Sequence, residues 1–178
     1  MSEETVNLSV VKQIIKNLDK ITEKTPWSKF RNLLKTNKKL PVKDWKDLLK
    51  LVKTRDLYKI LAEDLSSKEC RILGAALTHS KLKHVDDIVE QIIKKNDQCT
   101  PVLLRFILAK KYSLDLICVQ KYLKKMFKQT TKLSHLELLQ TVSQVYTKLI
   151  DEEILEFCRK NGHEICKEIC SKVEMEII

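Results

Sequence analysis

Four residues near the end of the chain, Cys158, His163, Cys166 and Cys170, are of the types that bind soft metal ions. Thiolates and an imidazole can hold zinc tetrahedrally. Cys166 and Cys170 are four apart, so a helix would place them on one face, and His163 precedes Cys166 by three. Structural zinc sites, however, usually draw on Cys-x2-Cys knuckles at turns, and this stretch has none. Ile165 and Ile169 neighbour the same face, which suits ordinary apolar packing. The cysteines are therefore expected to be core or semi-exposed residues, and no metal or cofactor is expected.

Nucleophilic catalysis needs a Ser or Cys, a base within hydrogen-bond reach and an orienting acid. His79, His84, His135 and His163 are the available imidazoles, and none lies in a recognisable motif. His79 falls at an expected helix end, and His84 and His135 near expected helix starts. There they serve as surface or capping residues. Asp86-Asp87 and Asp151-Glu152-Glu153 are paired acids in expected first turns, where negative charge is stabilising without any catalytic role. No catalytic residue is expected, and the chain is not expected to be an enzyme. Two glycines are also too few for a phosphate-cradling loop or a nucleotide-binding βαβ unit.

The charge points elsewhere. The chain of 178 residues carries a formal net charge of +10. Residues 1–60 hold 15 Lys and Arg against 7 Asp and Glu, so nearly all the excess lies in this first third; residues 61–178 are close to neutral. Such a field attracts anionic partners. Lys35, Lys38, Lys39, Lys43, Lys46 and Lys50 cluster around one expected helix junction and are the best candidates for a polyanion or partner site. Lysine dominates over arginine, which suits non-specific attraction better than base reading. Trp27, Phe30, Trp45 and Tyr58 accompany the lysines, but their helical spacing suits packing better than base stacking.

Apolar spacing at the helical period is the strongest structural signal. Val85, Ile88, Val89, Ile92 and Ile93 form a complete stripe, as do Leu138, Leu139, Val142, Val145, Tyr146 and Leu149. Val10, Val11, Ile14, Ile15, Leu18 and Ile21 form another. No segment alternates with period two between turn residues, so no strand is expected. Ser66-x-x-Glu69 and Ser134-x-x-Glu137 have the capping-box pattern, Thr100-Pro101 reads as a cap before a first-turn proline, and Asp151 as an N-cap. Asn161-Gly162 reads as a helix stop with a left-handed glycine. These marks predict about eleven short helices: 8–24, 26–37, 41–53, 56–65, 67–79, 84–95, 101–111, 114–128, 134–149, 151–160 and 163–176. Helix pairs recur every 30–40 residues or so, the period of helical repeats. The expected fold is all-α: an irregular HEAT-like antiparallel array forming one domain over 1–178, with one continuous apolar ribbon as its core.

One stretch resembles a known family. Leu65-Ser66-Ser67, Arg71, Leu73 and Ala76-Leu77-Thr78, followed by an apolar helix and a helix bearing Leu103-Leu104, are similar to the C-terminal helical-repeat region of the Fanconi anaemia complementation group E protein. Asn161, Ile165, Lys167 and Ile169 fall at spacings similar to the last helix of that family. The resemblance covers residues 60–175 with gaps. It implies a nuclear adaptor without enzymatic activity, bridging a ubiquitin-ligase complex to its substrate in DNA crosslink repair. It also implies a partner-binding last helix, here Glu164, Ile165, Lys167 and Glu168. Glu164 stands where the family has a partner-binding Phe, so that contact does not carry over.

The residues therefore predict a protein-interaction scaffold. The alternative is a nucleic-acid-binding helical array using the Lys-rich first third. No apolar run approaches the ~20 residues of a membrane span, and the start MSEETVNLSVV lacks a basic-then-apolar leader pattern. The six cysteines form no short-loop disulfide framework, so a reducing compartment, nucleus or cytoplasm, is expected, with protein partners and no small-molecule substrate.

Overall fold

A computed structural model describes residues 61–62, 64–78, 81–127 and 132–177. Among the described residues there are seven α-helices, one short 3-10 turn and no strand: the fold is all-α. The helices expected at 8–24, 26–37 and 41–53 lie outside the described residues, and of 56–65 Leu61 and Ala62 are described as helical. The chain divides into two compact units, Met1–Lys83 and His84–Ile178.

In the first unit, α1 spans Ser67–Thr78. Its start is the expected capping box. Glu69 Oε2 accepts hydrogen bonds from the Ser66 backbone N–H and hydroxyl, both at 2.7 Å, while Ser66 Oγ accepts from the Glu69 N–H at 3.4 Å. This satisfies helix-end amides that have no intrahelical acceptor, and it lets a carboxylate only 6% exposed remain in a buried position. Cys70, Leu73, Ala76 and Leu77 form one stripe, all at 0% exposure.

The second unit contains α2 (Val85–Lys95), α3 (Thr100–Leu108), α4 (Ile117–Phe127), α5 (Leu133–Val145), α6 (Glu152–Lys160) and α7 (Glu164–Ile177). The 3-10 turn Thr147–Leu149 separates α5 from α6. Helices α2, α4 and α6 neighbour one another in that order, and so do α3, α5 and α7; α2 also packs on α3, and α6 on α7. The most extensive packing is between α3 and α5. Ile88, Leu104, Ile107, Leu108, Leu123, Leu138, Leu139, Val142 and Ile154, all at 0% exposure, make up the core.

Several boundaries differ from expectation, each for a local reason. Helix α4 starts at Ile117, not near 114, because Asp115 makes a side-chain turn: its Oδ1 accepts from the Ile117 N–H at 3.0 Å. The Asp115 N–H is in turn held by Asp86 Oδ1 at 2.8 Å, so α2 fixes where α4 begins. Helix α3 ends at Leu108, not 111; Lys110 and Lys111 bond back three residues, to Ile107 and Leu108, and Lys111 turns left-handed at φ 55. Helix α5 breaks at Tyr146, whose φ of −134 leaves the helical region. The Tyr146 hydroxyl donates to the Tyr112 carbonyl at 2.8 Å, a bond across the fold that offsets the broken helical ladder. Ser134 is not an N-cap. Lys132 occupies that position, and His135 Nδ1 accepts the Lys132 N–H at 3.1 Å. Glu137, the other half of the expected box, is instead paired with Arg105 of α3.

Candidate interaction surface

The lysines singled out in the first third, Lys35, Lys38, Lys39, Lys43, Lys46 and Lys50, lie outside the described residues. The last-helix candidates are described. Helix α7 buries Cys166, Ile169 and Val173. That leaves Glu164, Lys167 and Glu168 exposed and Ile165 half-buried. Glu168 accepts a hydrogen bond from Gln140 of α5 at 2.7 Å, so part of this face is tied down within the unit. The exposed Arg159 bonds Glu152 at 2.6 Å and Glu174 at 3.3 Å, linking the start and end of α6 to α7.

The cysteine cluster assembles in part. Packing of α6 on α7 brings the Cys158 thiol into hydrogen-bonding reach of those of Cys166 and Cys170. Burial pushes all three thiols above their ordinary range, so they remain protonated near neutral pH. His163 does not join them. It is exposed, and its Nδ1 accepts the Ile165 N–H at 3.2 Å as a cap for α7. Among the described residues no group of three or more His, Cys, Asp or Glu is arranged to hold a metal ion. Cys118, Cys158, Cys166 and Cys170 are free thiols. Cys70 and Cys99 are disulfide-bonded, which the lack of a short-loop cysteine framework did not suggest.

The paired acids serve helix ends. Asp151 caps α6 by accepting the Ile154 N–H at 3.2 Å, as its position suggested. Its other oxygen lies 2.5 Å from Lys124 Nζ of α4, and Glu153 lies 3.8 Å from the same ammonium. Burial opposes ionisation of Asp151, but the Lys124 ammonium and the backbone N–H bonds outweigh it and hold the carboxyl below its usual value. Phe127 and Phe157 complete the α4–α6 contact, with ring centroids 4.5 Å apart.

Two hollows share Asn96 and Tyr122. The first, of about 220 Å³, has Asp97, Met126, Lys132, Ser134 and His135 on its walls. Its acid and its imidazole, Asp97 and His135, are occupied by structure. Asp97 Oδ1 accepts the N–H groups of Cys99 at 2.9 Å and Thr100 at 3.0 Å, and its Oδ2 is 3.0 Å from Lys95 Nζ. Burial opposes its ionisation, but these partners prevail and the carboxyl sits below its usual value. Burial pushes Tyr122 up to about 12, helped by the Asp97 charge. His135 is pushed down by burial and then by Lys132. Its Nδ1 is already engaged by backbone, and no nucleophile is hydrogen-bonded to it among the described residues. The second hollow, of about 250 Å³, lies between α2 and α4 and is mainly apolar.

The pairs that join distant elements leave no local mark in the sequence. Arg105 with Glu137, and Tyr146 with Tyr112, are more than thirty residues apart, and no local pattern marks either pair. No protein-family model matches this chain, and no curated protein matches it. The functional reading therefore rests on the residues and geometry above.

Proposed function

We propose that the chain is a protein-interaction scaffold without enzymatic activity, built as an irregular HEAT-like helical array. The observation that carries this reading is the packing of alternate helices: α2, α4 and α6 stack in one row and α3, α5 and α7 in a second. An array of this kind buries one face of each helix against its neighbours and leaves outer faces for docking. The engagement of Asp97, Asp151, His135 and His163 in helix-end hydrogen bonds agrees with a structural rather than catalytic role for these groups. The resemblance of residues 60–175 to the Fanconi group E family supports a narrower version, an adaptor subunit of a nuclear DNA-repair complex. The exposed positions Glu164, Lys167 and Glu168, with the half-buried Ile165, are its partner-facing candidates. Among the described residues no helix is long and apolar enough to cross a membrane.

A second reading has one observation in its favour, the basic excess concentrated in residues 1–60: a nucleic-acid-binding array. Affinity purification with mass spectrometry, with and without nuclease, separates the two. A scaffold keeps its partners after nuclease treatment and at raised salt. Loss of every partner on nuclease treatment favours the second reading, and recovery of no partner overturns the first.

A further inference from the structure

We infer that the groove between α2 and α4 is a docking site for an acidic peptide segment that carries a bulky apolar side chain. This deepens the scaffold reading and rests on it. The groove encloses about 250 Å³, with Ile93, Cys118 and Tyr122 among its apolar lining. Lys94, Lys121 and Lys125 share its walls with a single acid, Glu90. Lys94 already pairs with Glu90 at 3.0 Å, one helical turn away, so these two charges offset each other. Lys121 and Lys125 are exposed and have no ion pair among the described residues. They are four apart on α4 and so project from one side of the helix. The groove therefore presents two uncompensated positive charges beside an apolar floor.

That combination selects the chemistry of the occupant. An apolar side chain gains by leaving water for the space between Ile93 and Tyr122. Flanking carboxylates meet the two ammonium groups at the rim, where electrostatic complementarity chiefly sets association rate and orientation. A phosphate backbone would find only two free cations here, and a binding path for single strands needs a basic track with aromatic platforms. Tyr122 is the one aromatic in the lining, and at 6% exposure its ring is not available as a platform.

The test uses the full chain and a short fluorescein-labelled peptide in which Asp and Glu surround a Leu-Phe pair. Fluorescence anisotropy should show saturable binding that weakens as salt is raised. The double variant Lys121→Glu/Lys125→Glu should bind about tenfold more weakly or worse while keeping the far-UV circular dichroism spectrum of the wild type, because both side chains are exposed and have no ion pair among the described residues. Cys118, a free thiol in the groove wall, should react more slowly with N-ethylmaleimide when the peptide is bound. Several results would overturn the assignment: no saturable binding, equal binding of a peptide with Ser-Ser in place of Leu-Phe, or undiminished Cys118 labelling. Full competition by an oligothymidylate of matching length, or self-association of the chain abolished by the double variant, would transfer the groove to nucleic acid or to a second copy. A protein partner retained equally by the wild type and the double variant would overturn the groove but not the scaffold. A wild-type chain that retains no partner would overturn the scaffold itself.

Discussion

Two helix pairs in the second unit solve the same problem differently. Between α2 and α3 the chain turns over four residues, and the turn is held from inside. Asn96 adopts the left-handed conformation at φ 48, which asparagine tolerates better than most residues. Thr100, only 1% exposed, sends its hydroxyl back to the Ile92 carbonyl at 3.1 Å and accepts the Asp97 N–H at 3.0 Å. Between α6 and α7 the turn is held from outside. The Asn161 N–H bonds back to Phe157 and Cys158, and its side chain accepts the His163 N–H at 3.1 Å. Gly162 is exposed and has no positive φ, so the expected left-handed glycine stop is absent. A buried hydroxyl such as that of Thr100 must find its partners internally, whereas water can replace the bonds of an exposed side chain. The two pairs should therefore differ in how much each turn residue matters.

The largest effect should come from the core beneath the first turn. Ile92 is 2% exposed, and its carbonyl is the acceptor for Thr100. Ile92→Asp places an unpaired charge in that core and should cost more than about 4 kcal/mol. Circular dichroism should show loss of the cooperative thermal transition. Normal melting would mean that α2 does not pack as described.

The turns themselves come next. Thr100→Val keeps the shape but removes the hydroxyl, leaving the Ile92 carbonyl and the Asp97 N–H without that partner; the expected cost is about 1–3 kcal/mol. Asn161→Ala removes the matching bond from the exposed turn and should cost about 0.5 kcal/mol or less, since water can take its place. Urea denaturation of both variants measures the difference directly. Equal losses would break the contrast between inner and outer turns. Asp151→Ala lies between the two, at about 1 kcal/mol, because it removes the α6 cap and the Lys124 partner from a partly exposed position.

The same contrast explains which parts of the fold were legible. Signals acting within one turn of helix could be read: the Ser66–Glu69 box, the Asp151 cap and the apolar stripe of α2 all formed where the sequence placed them. The seven described helices lie close to the ranges expected for them. What failed was anything decided by a distant partner. Glu137 has the right spacing to complete a box with Ser134, but Arg105 of α3 takes its carboxylate, and His135 caps the helix instead. Thr100 was expected as a cap; it is the first residue of α3, and its hydroxyl joins the end of α2. The α2–α4 groove was invisible for the same reason. Ile93 reads as an ordinary member of an apolar stripe, and only the placement of α4 leaves it lining a groove beside Lys121 and Lys125.

The smallest effect is the dependence on acid, and it sharpens the comparison at one end of the unit. His135 and Asp97 line the same hollow beside the first turn, and both are shifted downward. The folded state resists protonating His135, whereas the unfolded chain accepts a proton near pH 6.5. The stability this gives is present above about pH 6.5 and is lost as the pH falls below it. Asp97 behaves alike in a lower window: its contribution holds above about pH 3.9 and declines as the pH falls further. The loss on acidification should therefore come in two steps, the imidazole first. His135→Gln keeps an acceptor at that position of α5 and carries no titrating group, so it should match the wild type at pH 8 and lose less by pH 5. Melting temperatures measured across that range decide the point. Equal losses in the two proteins would remove His135 as the source. Hydrogen exchange at pH 5 should then show which end opens, with faster exchange at the start of α5 and the α2–α3 turn than in the Asn161 turn, where a neutral amide side chain makes the bond.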